Sequence, residues 1–411
     1  MNWTTLEDVS TLVSKGTTPT TLGYSFVPQG IPFLRAEDVT GTAIDPKAVT
    51  FRISEETDKA LSRSRLQPGD LLITIAGTLG RVGYVPMNAP PLNCNQAVAF
   101  VRIKPEVVDL LYACFACRAL IADLLNLQKI GTIGNLNLEQ VRKFKIPLPR
   151  LCEQKRIATL IDRADRLRRA RHYALELTDA FIPAAFLELF GCLYENEQKW
   201  PFEQLEKNAE IVSGVAKGQK YGDSKTVEVP YLRVANVQDG YLDLSEIKTI
   251  RVPPEDVEAL RLEPGDIVMT EGGDFDKLGR GAIWPGGITD CIHQNHIFRV
   301  RLNQSALIPT FFAAFLRSPF AKSYFLRCSK QTTNLASINM TQLRATPTPL
   351  PPLPLQQKFA ALVECVEHLR AVQREALRQA EHLFQALLHR AFSDTDSTNN
   401  ESSKCMAQEA I

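Results

Sequence analysis

Two short clusters of cysteine and histidine contain the residue types best suited to metal or redox chemistry. Cys114 and Cys117 form a CxxC pair inside an apolar stretch, and Cys291 lies close to His293 and His296. A zinc site needs about four convergent ligands, and no second pair lies at ligand spacing from the CxxC motif. On a strand, Cys291 and His293 would point to one face and His296 to the other. We therefore predict buried structural cysteines and no metal site.

The motifs of common catalytic centres are missing from the sequence. It has no phosphate-binding Gly-x-x-x-x-Gly-Lys-Ser/Thr loop and no convincing set of nuclease carboxylates with a lysine. Residues 88–91 have the wrong order for the Asn/Asp-Pro-Pro-aromatic loop of amino-methyltransferases, and no glycine-rich cofactor loop precedes them. A proline turn is the better interpretation there. We predict no catalytic residues and no bound cofactor.

Two glycine-rich stretches, residues 76–81 and 272–280, both end in Leu-Gly-Arg. Glycine permits positive φ and a close approach of the backbone to a ligand. The trailing Arg81 or Arg280 would suit a DNA phosphate or the edge of a guanine. An ordinary hairpin loop is the alternative, and for one copy alone it would be favoured. The equivalent positions of the two copies make both interpretations about equally good.

A proline-stiffened extended segment that leads into a long amphipathic helix occurs twice. Pro147 and Pro349 lie 202 residues apart, and the apolar positions that follow each repeat at the 3–4 spacing of a coiled coil. Pro183 should kink or break the first helix. In an antiparallel pair, the polar interruptions Arg171 and Gln373 should lie side by side. The predicted helix-pair interface consists of Ile157, Leu160, Ala164, Leu167, Arg171 and Ala174, together with Phe359, Leu362, Val366, Leu369, Gln373 and Ala376.

The repeat extends into the two globular halves. The motif Leu-x-Pro-Gly-Asp occurs at 66–70 and at 262–266. Strand patterns at 96–103 and 294–300 precede helical stretches at 107–125 and 309–326. We predict an α+β fold, with two repeated α/β domains separated by two long helices that form an antiparallel coiled coil. The predicted boundaries are 1–150 and 196–352 for the globular domains, 151–195 and 353–393 for the helices, and 394–411 for a disordered tail.

The composition is that of a cytoplasmic globular protein of two to three domains. The 411 residues carry a formal net charge of +1, so local basic patches would have to account for any binding to nucleic acid. Nine scattered cysteines fit reduced thiols better than a disulfide framework. Residues 1–8 lack the features of a signal peptide, and no run approaches the roughly 18 apolar residues of a membrane span.

The ordered and duplicated set of motifs resembles the specificity (S) subunit of type I restriction–modification systems. The resemblance covers about residues 1–393, and it departs at Leu355-Gln356-Gln357, where the family usually has Glu-Gln. It implies a non-catalytic scaffold whose two target recognition domains each read half of a bipartite site in double-stranded DNA. Two modification (M) subunits would dock and methylate adenine with S-adenosylmethionine, and restriction (R) subunits would add ATP-driven translocation and cleavage. The resemblance implies that neither cofactor binds this chain.

Two domains that read different sequences cannot do so with identical residues, so we expect base readers where the halves disagree. Shared positions such as Arg35/Arg233 and Arg81/Arg280 are then scaffold or phosphate contacts. Simple solvated loops are the alternative for the stretches that differ. The predicted DNA-binding residues are Lys15, Thr17, Thr18, Thr78, Arg81, Lys129, Thr132, Asn135, Lys217, Lys220, Tyr221, Lys277, Arg280, Lys330, Gln331, Thr332 and Asn334.

Two other functions stay open at the level of sequence. The first is the specificity chain of a related fused or two-subunit restriction–methylation enzyme; a methyltransferase motif would mark the fused enzyme itself, and none is present. The second is a coiled-coil interaction protein that does not bind DNA. An absence of affinity for DNA in the presence of its partner would select this alternative.

Overall fold

The computed structural model describes residues 2–41, 43–127, 135–216, 218, 225–273, 278–331 and 336–392. The chain forms two compact units. Unit 1 combines Met1–His172 with Glu375–Ile411, and unit 2 is Tyr173–Arg374. Each unit therefore contains one globular half and a part of each long helix.

The globular part of unit 1 is built mainly from short strands. The strands are β1 (Trp3–Thr5), β2 (Ser10–Lys15), β3 (Ile31–Leu34), β4 (Arg52–Ile53), β5 (Arg65–Leu66), β6 (Leu71–Thr74), β7 (Val82–Tyr84), β8 (Leu92–Cys94), β9 (Val98–Ile103) and β10 (Lys145–Pro147). The helices are α1 (Glu55–Ala60), α2 (Leu110–Leu127), α3 (Leu138–Arg142) and the long α4 (Leu151–Phe190), whose second part belongs to unit 2.

The strands of unit 1 form three sheets. One is antiparallel with the order β2-β9-β6-β7. The second has the order β4-β3-β8-β5, and its β3–β8 pair is parallel. The third is the antiparallel pair β1–β10, which ties the N-terminal strand to the segment before α4. The central strand β9 is buried at five of six positions, as its continuous apolar pattern indicates.

Unit 2 repeats this arrangement. Its strands are β11 (Phe202–Gln204), β12 (Ala209–Ser213), β13 (Val227–Leu232), β14 (Lys248–Val252), β15 (Ile267–Thr270), β16 (Gly272–Gly273), β17 (Gly281–Ile283), β18 (Ile292–His293), β19 (Ile297–Leu302), β20 (Lys330–Gln331), β21 (Ala336–Ser337) and β22 (Pro347–Pro349). Its helices are α5 (Pro254–Leu260), α6 (Pro309–Leu316), α7 (Pro319–Cys328), α8 (Met340–Arg344) and the first part of α9 (Leu353–Phe392). The sheets have the orders β12-β19-β15-β17, β14-β13-β18, β16-β21-β20 and β11-β22.

The predicted helical stretch at 309–326 is two helices, which corrects the sequence-based expectation. The break lies at Ser318, whose hydroxyl accepts a hydrogen bond from the backbone N–H of Ala321 and caps α7. Pro319 follows at the first position of α7. Proline cannot donate the hydrogen bond that would continue α6, so a new helix starts there.

The long helices α4 and α9 pack antiparallel within each unit. In unit 1 the start of α4 shares a hydrophobic core with the end of α9, and the guanidinium of Arg168 on α4 lies 5.0 Å from the ring centre of Phe384 on α9. In unit 2 the end of α4 shares a core with the start of α9, and the ring centres of Phe190 and Phe359 lie 5.4 Å apart. The α+β class and the pairing of the long helices are therefore confirmed. The side-by-side placement of Arg171 and Gln373 stays a prediction.

Helix α4 continues through Pro183, so the expected break does not occur. Proline has no N–H to donate to the carbonyl of Asp179, four residues earlier. Arg370 of α9, only 8% exposed, donates from Nη2 to that carbonyl at 3.3 Å and to the carbonyl of Thr178 at 3.3 Å. The guanidinium thus supplies the donor that Pro183 lacks, and the carbonyl of Asp179 has a hydrogen-bond partner.

Candidate nucleic-acid interface

Three stretches that sequence comparison of the halves singles out meet at one edge of unit 1. The stretch that starts at Lys15 is held by Thr17, whose N–H donates to the carbonyl of Cys94 at 3.1 Å. Ile75 directly precedes the glycine-rich stretch 76–81, and its N–H donates to the carbonyl of Ala97 at 2.8 Å. The stretch 129–137 returns through Leu136, which donates to the carbonyl of Ile75 at 3.0 Å. The first two stretches therefore bond the turn between β8 and β9, and the third bonds the second at Ile75.

Unit 2 brings its equivalent stretches together in the same way. Val215 donates to the carbonyl of His293 at 3.0 Å, where the stretch before β13 begins. Glu271, just before the second glycine-rich stretch, donates to the carbonyl of His296 at 3.0 Å. Ile338 donates in turn to the carbonyl of Glu271 at 2.8 Å. We call this convergence of three stretches the reader edge of each unit.

A glycine is required directly after β2 and directly after β12, where each reader edge starts. A Cβ added at Gly16 would overlap the carbonyl oxygen of Cys94, and one at Gly214 would overlap that of His293. Only glycine allows the backbones to approach this closely. This explains why the two halves share glycine after Val-Ser-Lys and Val-Ser, while the residues that follow differ.

The predicted DNA-binding residues that the structure describes lie on these edges. Lys15, Thr78, Arg81, Asn135 and Lys330 are exposed, whereas Thr17, Thr18 and Arg280 are half-buried. The backbone of Gln331 belongs to β20. The remaining predicted residues lie outside the described residues: Lys129, Thr132, Lys217, Lys220, Tyr221, Lys277, Thr332 and Asn334. A role in DNA binding stays a prediction for the whole set.

The arginines that end the glycine-rich stretches are held in similar ways. Arg81 donates from Nη1 to the carbonyl of Glu37 at 3.2 Å. Arg280 donates from Nη1 to the side-chain oxygen of Gln238 at 3.3 Å. An arginine side chain has five N–H groups, so each guanidinium can donate to a phosphate as well as to this oxygen. The geometry suits a positioned cation that contacts a phosphate.

The aspartate of the Leu-x-Pro-Gly-Asp motif is structural. Asp70 is fully buried and accepts two hydrogen bonds from Arg102, from Nε and Nη2, both at 2.9 Å. Asp266 accepts the same pair from Arg301, both at 2.8 Å. Bidentate pairs of this kind are among the strong side-chain hydrogen bonds. The motif therefore fastens a turn to the central strand in each unit and takes no part in the reader edge.

A pair of buried glutamines, which sequence analysis missed, holds each long helix to its globular domain. Gln154 is fully buried; it accepts from the N–H of Asp109 at 2.9 Å and donates to the carbonyls of Val107 and Pro149 at 3.1 and 2.9 Å. Gln356 makes the equivalent three bonds in unit 2. By contrast, the side chain of Glu153 is 41% exposed, and its carboxylate pairs with Arg156 at 2.6 Å. The signal available in the sequence was the identical glutamine at both helix starts.

The predicted helix-pair residues lie at different depths. Those that are buried are Ala164, Phe359 and Val366; those that are half-buried are Ile157, Ala174, Leu362, Gln373 and Ala376; those that are exposed are Leu160, Leu167, Arg171 and Leu369. On α4 the buried face instead includes Ile161 and Asp165, one position further along. The role of the exposed leucines in helix pairing stays a prediction.

The cysteine and histidine clusters do not form a centre of metal chemistry in the part of the chain that the structure describes. Cys114 and Cys117 are buried in α2, and burial raises the pKa of the Cys114 thiol to about 12. Among the described residues there is no group of three or more His, Cys, Asp or Glu side chains that would hold a metal ion. Burial lowers the pKa of His293 to about 4, whereas His296 is exposed and bonded to Glu271.

No helix among the described residues is both long enough and apolar enough to cross a membrane. The long helices α4 and α9 carry charged residues throughout their length.

Relatives of known type match the chain over different lengths. Residues 1–176 match the family model described as the type I restriction modification DNA specificity domain. The EcoKI type I restriction enzyme specificity subunit of Escherichia coli K12 is 24% identical over 388 residues, which are 88% of this chain and 82% of that protein. The MjaX type I restriction enzyme specificity subunit of Methanocaldococcus jannaschii is 25% identical over 176 residues, which are 43% of this chain but only 41% of that relative.

The fold is also that of a solved structure. A chain from a structure of the complex assembly and conformational transition of the type I R-M system aligns with a TM-score of 0.57 and 19% identity. The alignment covers 95% of this chain and 97% of that chain. The match of residues 1–176 and a relative that spans most of the chain make this protein similar in sequence to the specificity subunits of type I restriction–modification systems.

Proposed function

We propose that this chain reads a bipartite, asymmetric site in double-stranded DNA, with one reader edge for each half of the site. The observation that carries the proposal is the reader edge itself. In both units, stretches that differ between the halves meet on backbone that the halves share. A common scaffold with different side chains is what two readers of different sequences require, because bases are distinguished by the groups that reach their edges.

The chain acts without catalysis of its own. Two M subunits dock on it and supply the methyl transfer to adenine, and R subunits join in the full complex, in the cytoplasm. Leu160, Leu167 and Leu369 support this arrangement, since they leave apolar side chains 49%, 42% and 47% exposed on the long helices. Exposed apolar side chains on a helix suit contact with another protein.

The test is to express the chain with its M subunits in a host without adenine methylation and to sequence the host DNA for modified bases. Adenine methylation at one bipartite, asymmetric motif is expected with both components, and none with the chain alone. Methyl transfer by the purified chain alone would contradict the proposal, as would a motif without two separated halves.

A further inference from the structure

The reader edge of unit 2 carries an exposed pair of a carboxylate and an imidazole. Glu271 is the residue before β16, and His296 lies in the turn before β19. The carboxylate Oε2 of Glu271 lies 2.6 Å from Nδ1 of His296, and the side chains are 35% and 56% exposed. A side-chain pair this exposed contributes little to stability. Stability therefore does not explain why the pair lies at this place.

Unit 1 has the same backbone at this place with quite different side chains. Ile75 donates to the carbonyl of Ala97 and accepts from Leu136, as Glu271 donates to His296 and accepts from Ile338. Ile75 is only 3% exposed. One half of the chain therefore covers the position with apolar groups, and the other presents a carboxylate and an imidazole on an equivalent scaffold.

The chemistry of the pair suits one base pair. A carboxylate only accepts, so Nδ1 of His296 carries the proton that it shares with Oε2. The other carboxylate oxygen then suits the N4 amino group of cytosine, an established partner of glutamate in the major groove. The imidazole holds that carboxylate in place, so His296 positions Glu271 for this contact.

We propose that Glu271 and His296 together are a specificity determinant of unit 2 that reads one C·G base pair in its half of the site. The assignment rests on the proposed function and adds to it the residues and the base pair. The same place in unit 1 is apolar and reads no such pair.

The test uses the complex of the full chain with its M subunits and compares the methylated motif of variants with that of the natural sequence. Glu271→Gln keeps the size of the side chain but replaces one acceptor oxygen by an amide donor, and glutamine prefers adenine. We expect the preference for C·G at one position of the unit 2 half-site to fall roughly 10- to 100-fold. His296→Ala should weaken the same position, and the unit 1 half-site should be unchanged.

The matched control is Asp290→Asn, an equally conservative change at an exposed ion pair with Arg261 on the same unit. It should leave every position of the motif unchanged. A motif for Glu271→Gln that equals the natural one at all positions would overturn the assignment, as would a change confined to the unit 1 half.

If a variant methylates no site, two further measurements are made: its affinity for duplexes that differ at one base pair, by competition, and its unfolding temperature. Equal loss of affinity for every duplex with a lower unfolding temperature would make the pair structural and overturn the assignment. If the natural complex methylates no bipartite motif, the proposed function fails, and that failure is distinct from a failure of the Glu271–His296 assignment.

Discussion

Arg280 donates a hydrogen bond to Gln238 at the reader edge of unit 2, and it occupies the position of Arg81 in unit 1. A residue shared by two readers of different sequences cannot itself distinguish the sequences, so its contact should be to a phosphate. Each phosphate contact releases counterions and adds about one to the dependence of log K on log salt.

We therefore expect Arg280→Ala to weaken binding to all duplexes alike and to lower that salt slope by about one. The measurement is the affinity of the complex for specific and unrelated duplexes at several salt concentrations. Arg251→Ala, on the exposed part of β14, is the control, and it should leave the slope as it is. A changed base preference for Arg280→Ala would instead make the residue a reader.

His293 is a buried neutral histidine next to the reader edge, with Nδ1 bonded to the carbonyl of Ile297 at 3.0 Å. Burial lowers its pKa from 6.5 to about 4. Below pH 6.5 the unfolded chain therefore binds a proton that the folded chain does not bind. The stability from this residue is fully present above about pH 6.5 and is lost as the pH falls towards 4, by about 3 kcal/mol in total.

The comparison that isolates this residue is with His293→Cys, because a buried cysteine, Cys94, stands at the equivalent place in β8 of unit 1. Urea unfolding between pH 7.5 and 4 should show a steeper loss of stability for the natural chain than for the variant. Identical pH profiles would show that the histidine does not titrate differently in the folded and unfolded chain.

At the scale of the elements, Gln356 joins the start of α9 to the loop before α6. Its side chain accepts from Ile308 and donates to the carbonyls of Ala306 and Pro351. Gln356→Leu would leave these groups without partners and should lower the free energy of unfolding by about 3 kcal/mol, at roughly 1 kcal/mol for each bond. Gln357→Leu, at the exposed neighbouring position, is the control and should stay within about 0.5 kcal/mol of the natural chain.

The long helix α4 tolerates Pro183 because Arg370 donates to the carbonyl of Asp179. Pro183→Ala restores a backbone N–H for that carbonyl, so the arginine should then matter less. We expect Arg370→Met to destabilise the natural chain by about 1 kcal/mol more than it destabilises the Pro183→Ala chain. Equilibrium unfolding of the four chains of this double-mutant cycle measures the difference. Strict additivity would mean that the bond does not compensate the proline.

At the scale of the whole molecule, the proposed function requires two separable readers. Each unit has its own sheets, core and reader edge. Exchange of residues 1–145 for the equivalent segment of a related specificity subunit should change one half of the methylated motif and leave the other half as it was. Sequencing of modified bases in cells with the hybrid and its M subunits gives the answer. A change in both halves would refute separate reading.

From the sequence alone came the repeat, the two long helices, the α+β class and the resemblance to type I specificity subunits. Heptad spacing and the duplicated motifs such as Leu-x-Pro-Gly-Asp are local patterns, and local patterns report which face of an element is buried. Comparison of the halves identified the three stretches that differ. It did not show that these stretches meet at one edge of each unit.

Only the tertiary structure decided which polar residues serve the fold and which face outward. Asp70 is bound by Arg102 from another strand, and Arg370 reaches Asp179 from another helix. Glu271 meets His296 because β15 and β19 are neighbours in one sheet. Such pairs depend on strand order and helix packing, which bring together residues far apart in the chain, and no spacing along the sequence encodes that order.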